Sequence, residues 1–593
     1  MKNVFRFILI FFGAFLVFAA SLLALPDSNE QGSTSVLSTA TIIAPSSPVP
    51  KESRGEMDAL PFKDNLDVYQ YDDPDSAVIM YITVRKGNPS DNTDHTWEEV
   101  NSYSKWINGL PADIVVGKAE VILQIGDENG PLPGELGYDE TVPNATIQIR
   151  GNSTSDKPVK SYKVELTSQT DVWRGQKTIN LNKHLYDASR VRNKLNFDLM
   201  SEIPNMISLR TQFVRLFVKD ESITPPKTDF VDYGLFTQVE QPNQRFLKNH
   251  GLDPNGQLYK ATFFEFFRYP DQIRLTIDPL YDEKAFSKIL EIKGNNDHAK
   301  LIQMLNDVND INIPIQQTFE KYFDADNYFT WLAYNILVGN LDTQSQNFFL
   351  YSPTNGNKWY FIPWDYDGSL YRQADFYFYD PFEYGVSNYW GAVLHNRVLK
   401  VARYREMLDN KIVDLKAFIT PEKIEKMLSG YKNITDAYSL SAPDASFLRT
   451  FAVDYETDYA RIPAEIQINY DLYLESLQSP MPFFLGTPKN LGDSLSFNWG
   501  ESYDFNAQNI TYDVAISRDW QFNDILYSKT ISNFTSINAE MLKPGTYFWR
   551  VIATNESGKS QYPFDFYRDP NSSQQHFGMK FLRITSDGQV LEK

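Results

Sequence analysis

The sequence predicts an α+β domain with a β-rich front lobe and a helical rear lobe, followed by an all-β sandwich. Three observations predict it. Short β-like runs crowd residues 77–166, helix-periodic segments prevail from about residue 283 to residue 477, and strand-like runs return after Pro480. At 593 residues the chain exceeds one ordinary domain, and 42% hydrophobic content supplies material for large cores.

The N-terminal run comes first. Lys2 and Arg6 precede an apolar stretch from Phe7 to Leu25, in which Val17 and Ala19 offer small residues that a signal peptidase accepts. The same stretch is long enough to span about 30 Å of hydrocarbon as an uncleaved anchor, with its basic flank kept in the cytoplasm. Residues 1–25 are therefore expected to be a signal peptide or an N-terminal membrane anchor acting through residues 7–25. The remainder is expected to be secreted or held on the outer face of the cytoplasmic membrane. Residues 26–75, with STSVLSTATIIAPSSPVPKES at their centre, lack the apolar surface needed to offset ordering entropy and are expected to form a flexible linker.

Folded sequence is expected near Ala77. AVIMYITV, KAEVILQI, NATIQIRGNST and KSYKVEL have strand character and are separated by turn residues. Asp187 or Ser189 then caps a helix over ASRVRNKLNFDLMSEI, whose Val191, Leu195, Leu199 and Ile203 recur every four positions. Two further strands, TQFVRLFVKD and YGLFTQVEQ, precede helices over EKAFSKILEI, HAKLIQMLNDV and ADNYFTWLAYNILVG, the last ending at Gly339. A long helical region runs from about Arg397 to Leu477.

After Pro480 come SLSFNWG, ITYDVAISRD, ILYSKTI and GTYFWRVIATNESG at sandwich spacing. LKPGTYFWRVIATNESG resembles the corner of fibronectin type III domains in which a tyrosine, here Tyr547, bonds back to upstream backbone. Residues 479–587 are read as that sandwich and 588–593 as a tail.

Composition excludes several functions. Asp plus Glu number 76 against 56 Lys plus Arg, a net charge of −20 that repels nucleic acid, so no nucleic-acid partner is expected. There is no cysteine, which removes disulfides, thiolate metal sites and cysteine nucleophiles. The six histidines are scattered without an HExxH, arguing against a zinc site or a Ser-His-Asp triad.

The chemistry-bearing segment is LVGNLDTQSQNFFLYSPTNGNKWYFIPWDYDGSL. A polar loop after Gly339 presents Asp342 and, five residues on, Asn347. Two short strands follow, and then Asp365, Asp367 and Gly368. Phosphoryl transfer needs a carboxylate near the acceptor hydroxyl and hard oxygen ligands for the metal that bridges the phosphates. D-x4-N followed by an aspartate after a hairpin has that spacing. An ordinary acidic turn has it too. A glycosidase pair is disfavoured, because Asp365 and Asp367 are one residue apart whereas such carboxylates flank a sugar at about 5–9 Å.

IQIRGNST with KSYKVEL, RNKLNFDLM, YGLFTQVEQPNQRFLKNHG, LYKA, GNLDTQSQNFFLY and KWYFIPWDYDGSL follow one another in an order that resembles the CotH kinase family of spore-coat-type atypical protein kinases. The resemblance covers roughly residues 77–475, so residues 76–478 are read as an atypical protein-kinase-like bilobal domain. It implies ATP with Mg²⁺ or Mn²⁺, Asp342 as catalytic aspartate, and Asn347 and Asp365 as metal ligands. Asp367, which precedes Gly368 as in a kinase DFG, competes with Asp365 for that role.

For the nucleotide, the family pattern favours Lys160 as the phosphate cation. Lys163 points to the opposite side of the same strand, and Glu202 and Asp198 compete as the ion-pair partner. Arg150 begins a turn able to approach phosphates, Glu240 with Gln241 sits near a hinge that would contact adenine, and Lys260 has no assignable role. The aromatic stretch YRQADFYFYDPFEYGVSNYW is expected mainly to pack on the helical lobe, with an exposed subset offered to a protein substrate. The implied function is an exported kinase acting on Ser or Thr of cell- or spore-surface proteins. The alternative is a non-catalytic adhesion protein on a kinase-like scaffold.

Overall fold

The computed structural model describes residues 62–107, 110–111, 114–167, 172–372, 379–448, 454–570 and 575–592. The expected signal or anchor segment and most of the expected linker lie outside the described residues. Among the described residues no helix is long and apolar enough to cross a membrane.

Alternation along some strands, and continuous burial along others such as Ala77–Arg85 and Val231–Glu240, builds the front lobe. In Ala145–Arg150 every second residue is buried, and Ser161–Leu166 buries Tyr162, Val164 and Leu166 while turning Ser161, Lys163 and Glu165 outward. Ala77–Arg85 pairs in parallel with Thr211–Asp220 and antiparallel with Ala119–Asp127. From Thr211–Asp220 the order runs through Val231–Glu240, Thr178–Asn182, Ser161–Leu166 and Ala145–Arg150 back to Ala119–Asp127, so the sheet closes on itself. Its interior is filled by Met80, Ile82, Leu123, Ile147, Val164, Leu216 and their neighbours. Arg150 and Ser161 are cross-strand partners on the outer face, and Asn182 pairs with Thr237 on the neighbouring strand.

The rear lobe is mainly helical and has the largest core of the molecule. Its central helix, Ala325–Val338, is buried on nearly every side. Gly339 ends that helix at φ 61°, a left-handed cap that suits glycine. Ala402–Phe418, Pro421–Ser439, Tyr455–Arg461 and Glu465–Ser476 make up the helical region expected over 397–477. A small sheet of Leu290–Ile292, Gln257–Ala261, Phe348–Ser352 and Tyr360–Pro363 is set into this lobe.

Four boundaries differ from the sequence reading. The helix expected over ASRVRNKLNFDLMSEI covers only Arg192–Ser201, and Val191 stands at its N-cap in place of Asp187 or Ser189, because the Asp187 carboxylate is engaged by Ser189 and the Arg192 guanidinium. The flexible linker expected over 26–75 gives way to folded chain at Phe62. Phe62 stacks on Tyr360 at 4.2 Å, Asp64 accepts a 2.6 Å hydrogen bond from His250, and Asp72 pairs with Lys194 at 2.6 Å. These partners are more than a hundred residues away, so local polarity could not reveal them. The helix expected over EKAFSKILEI covers only Glu283–Ser287, and Leu290–Ile292 joins the small sheet instead. Within the expected tail 588–593, Val590–Glu592 pairs with Met579–Ile584.

The C-terminal region is all β. Lys489–Asn490, Ser494–Asn498 and Ser536–Glu540 form one sheet, facing a second made by Ile525–Ser532, Ile510–Ser517, Gly545–Asn555, Met579–Ile584 and Val590–Glu592. Trp499, Tyr512, Trp549 and Leu582 fill the space between them. The Tyr547 hydroxyl donates to the Lys543 carbonyl at 2.8 Å, closing the corner expected of a fibronectin III-like sandwich.

Candidate active site

The site begins at the cap of the central helix. Past Gly339 a 3-10 turn, Leu341–Thr343, carries Asp342, and the chain re-enters a strand at Phe348. The strand Tyr360–Pro363 then delivers Trp364, Asp365 and Asp367. Asn347 (φ 58°) and Asp365 (φ 60°) both adopt the left-handed conformation, which Asn and Asp tolerate better than other side chains. Asn340 donates from Nδ2 to the Asp365 carbonyl at 3.4 Å, joining the two loops.

The carboxyls of these loops repel one another. Burial pushes Asp342 up to about 7, with Glu383, Asp365 and Asp367 adding to the shift and a hydrogen bond from Gln346 opposing it. Asp365 is raised to about 6 by burial and by Asp367, against the attraction of Lys260, Arg150 and His184. Desolvated carboxyls in mutual repulsion constitute an electrostatic demand for a cation. Among the described residues no three His, Cys, Asp or Glu side chains gather as a cage for a metal. A magnesium-type site that uses two or three protein oxygens plus phosphates needs none.

Cations face this acid group from both lobes. Arg150 of the front sheet lies 5.6 Å above the Trp364 ring, and Lys260 of the rear sheet lies 5.7 Å from it. Arg150 donates to Asn182 Oδ1, and burial lowers its pKa to about 10 against the pull of Asp365 and Asp367. Lys260 also pairs with Glu291 at 3.8 Å. Lys105 stands in the same field, its pKa lowered by burial and by Arg150, Lys260 and Lys163 although Glu291 opposes.

Two nucleotide contacts expected from the sequence are engaged elsewhere. Lys160 is buried and donates to the Ser155 carbonyl at 2.5 Å, so it anchors its own turn. The charged side chains that draw Asp365 down are Lys260 and Arg150. Glu202 pairs with Lys423 and Asp198 with Lys194, so neither serves Lys160. Glu240 is buried against Arg210 and His250, and its carboxyl is held down at about 2 despite burial, by His250 and Arg210. It holds the lobe junction rather than facing a base. Gln241, half-buried beside it, accepts from Asn180 Nδ2 at 3.1 Å on the outer face of the front sheet.

His184, Trp364, Lys105 and Glu383 were missed by sequence reasoning. His184 donates from Nδ1 to Asp367 Oδ2 at 3.1 Å, while its Nε2 accepts from Asn193 at 3.3 Å. Asn193 also takes the Tyr366 backbone N–H at 2.9 Å. No short motif carries these partnerships, since each crosses more than a hundred residues or a whole loop. Phe382, Tyr389 and Trp390 pack into the rear-lobe core as expected, and Phe382 and Trp390 also contact the C-terminal sandwich. Residues 373–378 lie outside the described residues.

Two lobes, with an acid cluster on the rear one opposed by cations from both, define the class: a bilobal α+β protein whose acid cluster, Asp342, Asp365 and Asp367, faces Arg150 and Lys260. The model of the family described as CotH kinase protein matches residues 147–466, more than half of the chain, and the chain belongs to that family. It is also 24% identical over 251 residues to inner spore coat protein H of Bacillus subtilis (strain 168). That alignment covers 41% of this chain and 64% of the relative, so the chain spans less than two thirds of that protein.

Proposed function

We propose that this protein is an exported atypical kinase that transfers the γ-phosphoryl group of ATP to a Ser or Thr hydroxyl of an extracytoplasmic or surface protein, spore-coat-like in kind. The observation that carries the reading is the set Asp342, Asp365 and Asp367, each within the others' electrostatic reach and opposed by Arg150 and Lys260. The name of the Bacillus relative supports the spore-surface context.

The donor set fits a hard divalent ion such as Mg²⁺ or Mn²⁺: Asp365, Asp367 and Asn347 would hold it. When bound, such an ion neutralises charge on the transferred phosphoryl group. The protein's own residues do the rest. Arg150 and Lys260 attract the phosphates from opposite lobes, and Gln241 is left as the polar side chain beside the expected hinge. Asp342, poised near neutrality, takes the proton of the acceptor hydroxyl as the hydroxyl oxygen bonds to the γ-phosphorus and the bond to the β-phosphate bridging oxygen breaks, releasing ADP.

The test is incubation of the purified protein with labelled ATP and Mg²⁺ or Mn²⁺ beside an Asp342→Ala variant. Equal labelling by both would falsify the role given to Asp342. The engagement of Lys160 and Glu240 within the protein favours a second reading, a non-catalytic surface-binding protein. Thermal-shift titration separates the two: ATP with metal at about 100 times its dissociation constant adds about 2.7 kcal/mol if the folded state binds it.

A further inference from the structure

The C-terminal sandwich touches the rear lobe through loops at one of its ends. Tyr503 and Phe505 lie between the strands Ser494–Asn498 and Ile510–Ser517. Phe564 and Phe577 lie in the excursion between Gly545–Asn555 and Met579–Ile584. The Phe564 ring meets Phe382 edge-on at 4.7 Å, and Phe577 approaches the same ring at 5.8 Å. Trp390 stacks on Tyr503 at 5.4 Å and meets Phe505 at 5.5 Å. The Lys400 ammonium lies over both Trp390 and Tyr503.

The connection itself is buried. Met481 and Phe564 belong to the rear-lobe core, Asn506 donates to the Leu477 carbonyl at 2.8 Å, and Asn555 donates to the Gln478 carbonyl at 2.9 Å. A tethered module on a flexible linker would expose a polar connection and a wet interface. This one shares a core with its neighbour.

The stretch 382–390 that the sandwich grips has a second face. Asn388 donates from Nδ2 to the Leu341 carbonyl at 3.1 Å. The Tyr389 hydroxyl lies 3.2 Å from the Asn340 carbonyl and 2.8 Å from Thr343 Oγ1. These contacts bracket Asp342 on both sides. A continuous line of packed groups thus runs from Tyr503 through Trp390, Tyr389 and Asn388 to the loop 340–343.

We infer that the sandwich is a working part of the catalytic unit: by gripping Phe382 and Trp390 it holds residues 382–390 against the loop 340–343, which makes Phe564 and Tyr503 positioning residues for Asp342. The kinetic half of this inference rests on the phosphotransfer reading above; the structural half does not.

Phe564→Ala and Tyr503→Ala in the full chain test it, both changes lying on the sandwich and far from the acid cluster along the chain. Hydrogen exchange of the 340–343 and 382–390 amides should quicken about tenfold in each, the scale of a lost aromatic pair. The near-UV signal of the buried Trp549 should stay unchanged. With wild-type phosphotransfer measurable, kcat should fall about tenfold while KM for ATP stays within about twofold, and Phe564→Leu should recover most of the loss. Faster exchange confined to the sandwich, with 340–343 unaltered in both variants, overturns the inference. If one variant loses its cooperative melt, the other decides. If wild-type protein transfers no phosphate while exchange at 340–343 still responds, the phosphotransfer reading fails and the brace stands.

Discussion

His184 donates a hydrogen bond from Nδ1 to Asp367 Oδ2 at 3.1 Å, across a sequence gap that no motif spans. The donor is buried, whereas the carboxylate is 28% exposed and so within reach of solvent. Outer partners of this kind fix a ligand's orientation, and their loss typically lowers metal affinity 10–100-fold. His184→Phe should therefore weaken Mn²⁺ binding by about that factor when it is titrated calorimetrically with a non-hydrolysable ATP analogue present. His184→Gln, which keeps a side-chain N–H, should lose less. Identical Mn²⁺ affinities in all three proteins would remove Asp367 from the metal site.

Asp342 has a consequence for stability that is independent of activity. Its carboxyl is raised from 3.8 to about 7 by burial and then by Glu383, Asp365 and Asp367. An acid with a higher pKa in the folded state holds its proton more tightly there, so its contribution favours folding at low pH. That contribution drains away as pH rises from about 4 to about 7. Asp342→Asn removes the effect. Without metal or nucleotide, the variant should match the wild type near pH 4 and exceed it at pH 8 by about 2 kcal/mol, a figure discounted for water reaching the half-buried group. Denaturant melts at the two pH values check this, and added Mg²⁺ should narrow the gap by stabilising the wild type alone. A variant less stable than wild type at pH 8 contradicts the repulsive environment.

Much of the fold was legible because it is written in short-range patterns. Ala145, Ile147 and Ile149 alternate inward as expected, and Gly339 ends the helix that delivers Asp342. What was not legible is long-range. Alternation says that Lys160 and Lys163 diverge, but not that Lys160 would find the Ser155 carbonyl while Lys260 and Arg150 converge on Trp364. Glu240 reads as a hinge residue by position, yet its partners His250 and Arg210 lie ten and thirty residues away. The gripping of Phe382 and Trp390 by the sandwich joins segments more than a hundred residues apart, which no periodicity encodes.

The lobe junction offers a second pH test of opposite origin. His250 donates to Asp64 Oδ1 at 2.6 Å and to Glu240 Oε2 at 2.9 Å, so both ring nitrogens carry protons. Glu240 and Asp64 raise its pKa from 6.5 to about 9 in spite of burial. Its stabilisation is complete below pH 6.5 and is lost as pH rises through 9. Stability should decline over that window in wild type and stay flat in His250→Gln. At pH 7 the variant should be about 3–5 kcal/mol less stable, the usual result of leaving a buried carboxylate without its partner. A wild-type profile level from pH 6.5 to 9.5 would show that His250 is not charged in the folded protein.

Tyr547 permits a test confined to the sandwich. Its hydroxyl reaches the Lys543 carbonyl at 2.8 Å while its ring is buried in the core between the two sheets. Tyr547→Phe preserves the ring and removes only the donor, so the carbonyl loses a partner at the rim. The expected loss is about 1 kcal/mol, the net worth of one such hydrogen bond. Because the sandwich shares packed aromatic contacts with the rear lobe, the loss should appear in one cooperative transition and not as early melting of an independent module. Following unfolding by tryptophan fluorescence and by far-UV circular dichroism checks both points. Two separated transitions, with only the first shifted, would mean that the sandwich folds and unfolds on its own despite the contacts of Phe564 and Tyr503.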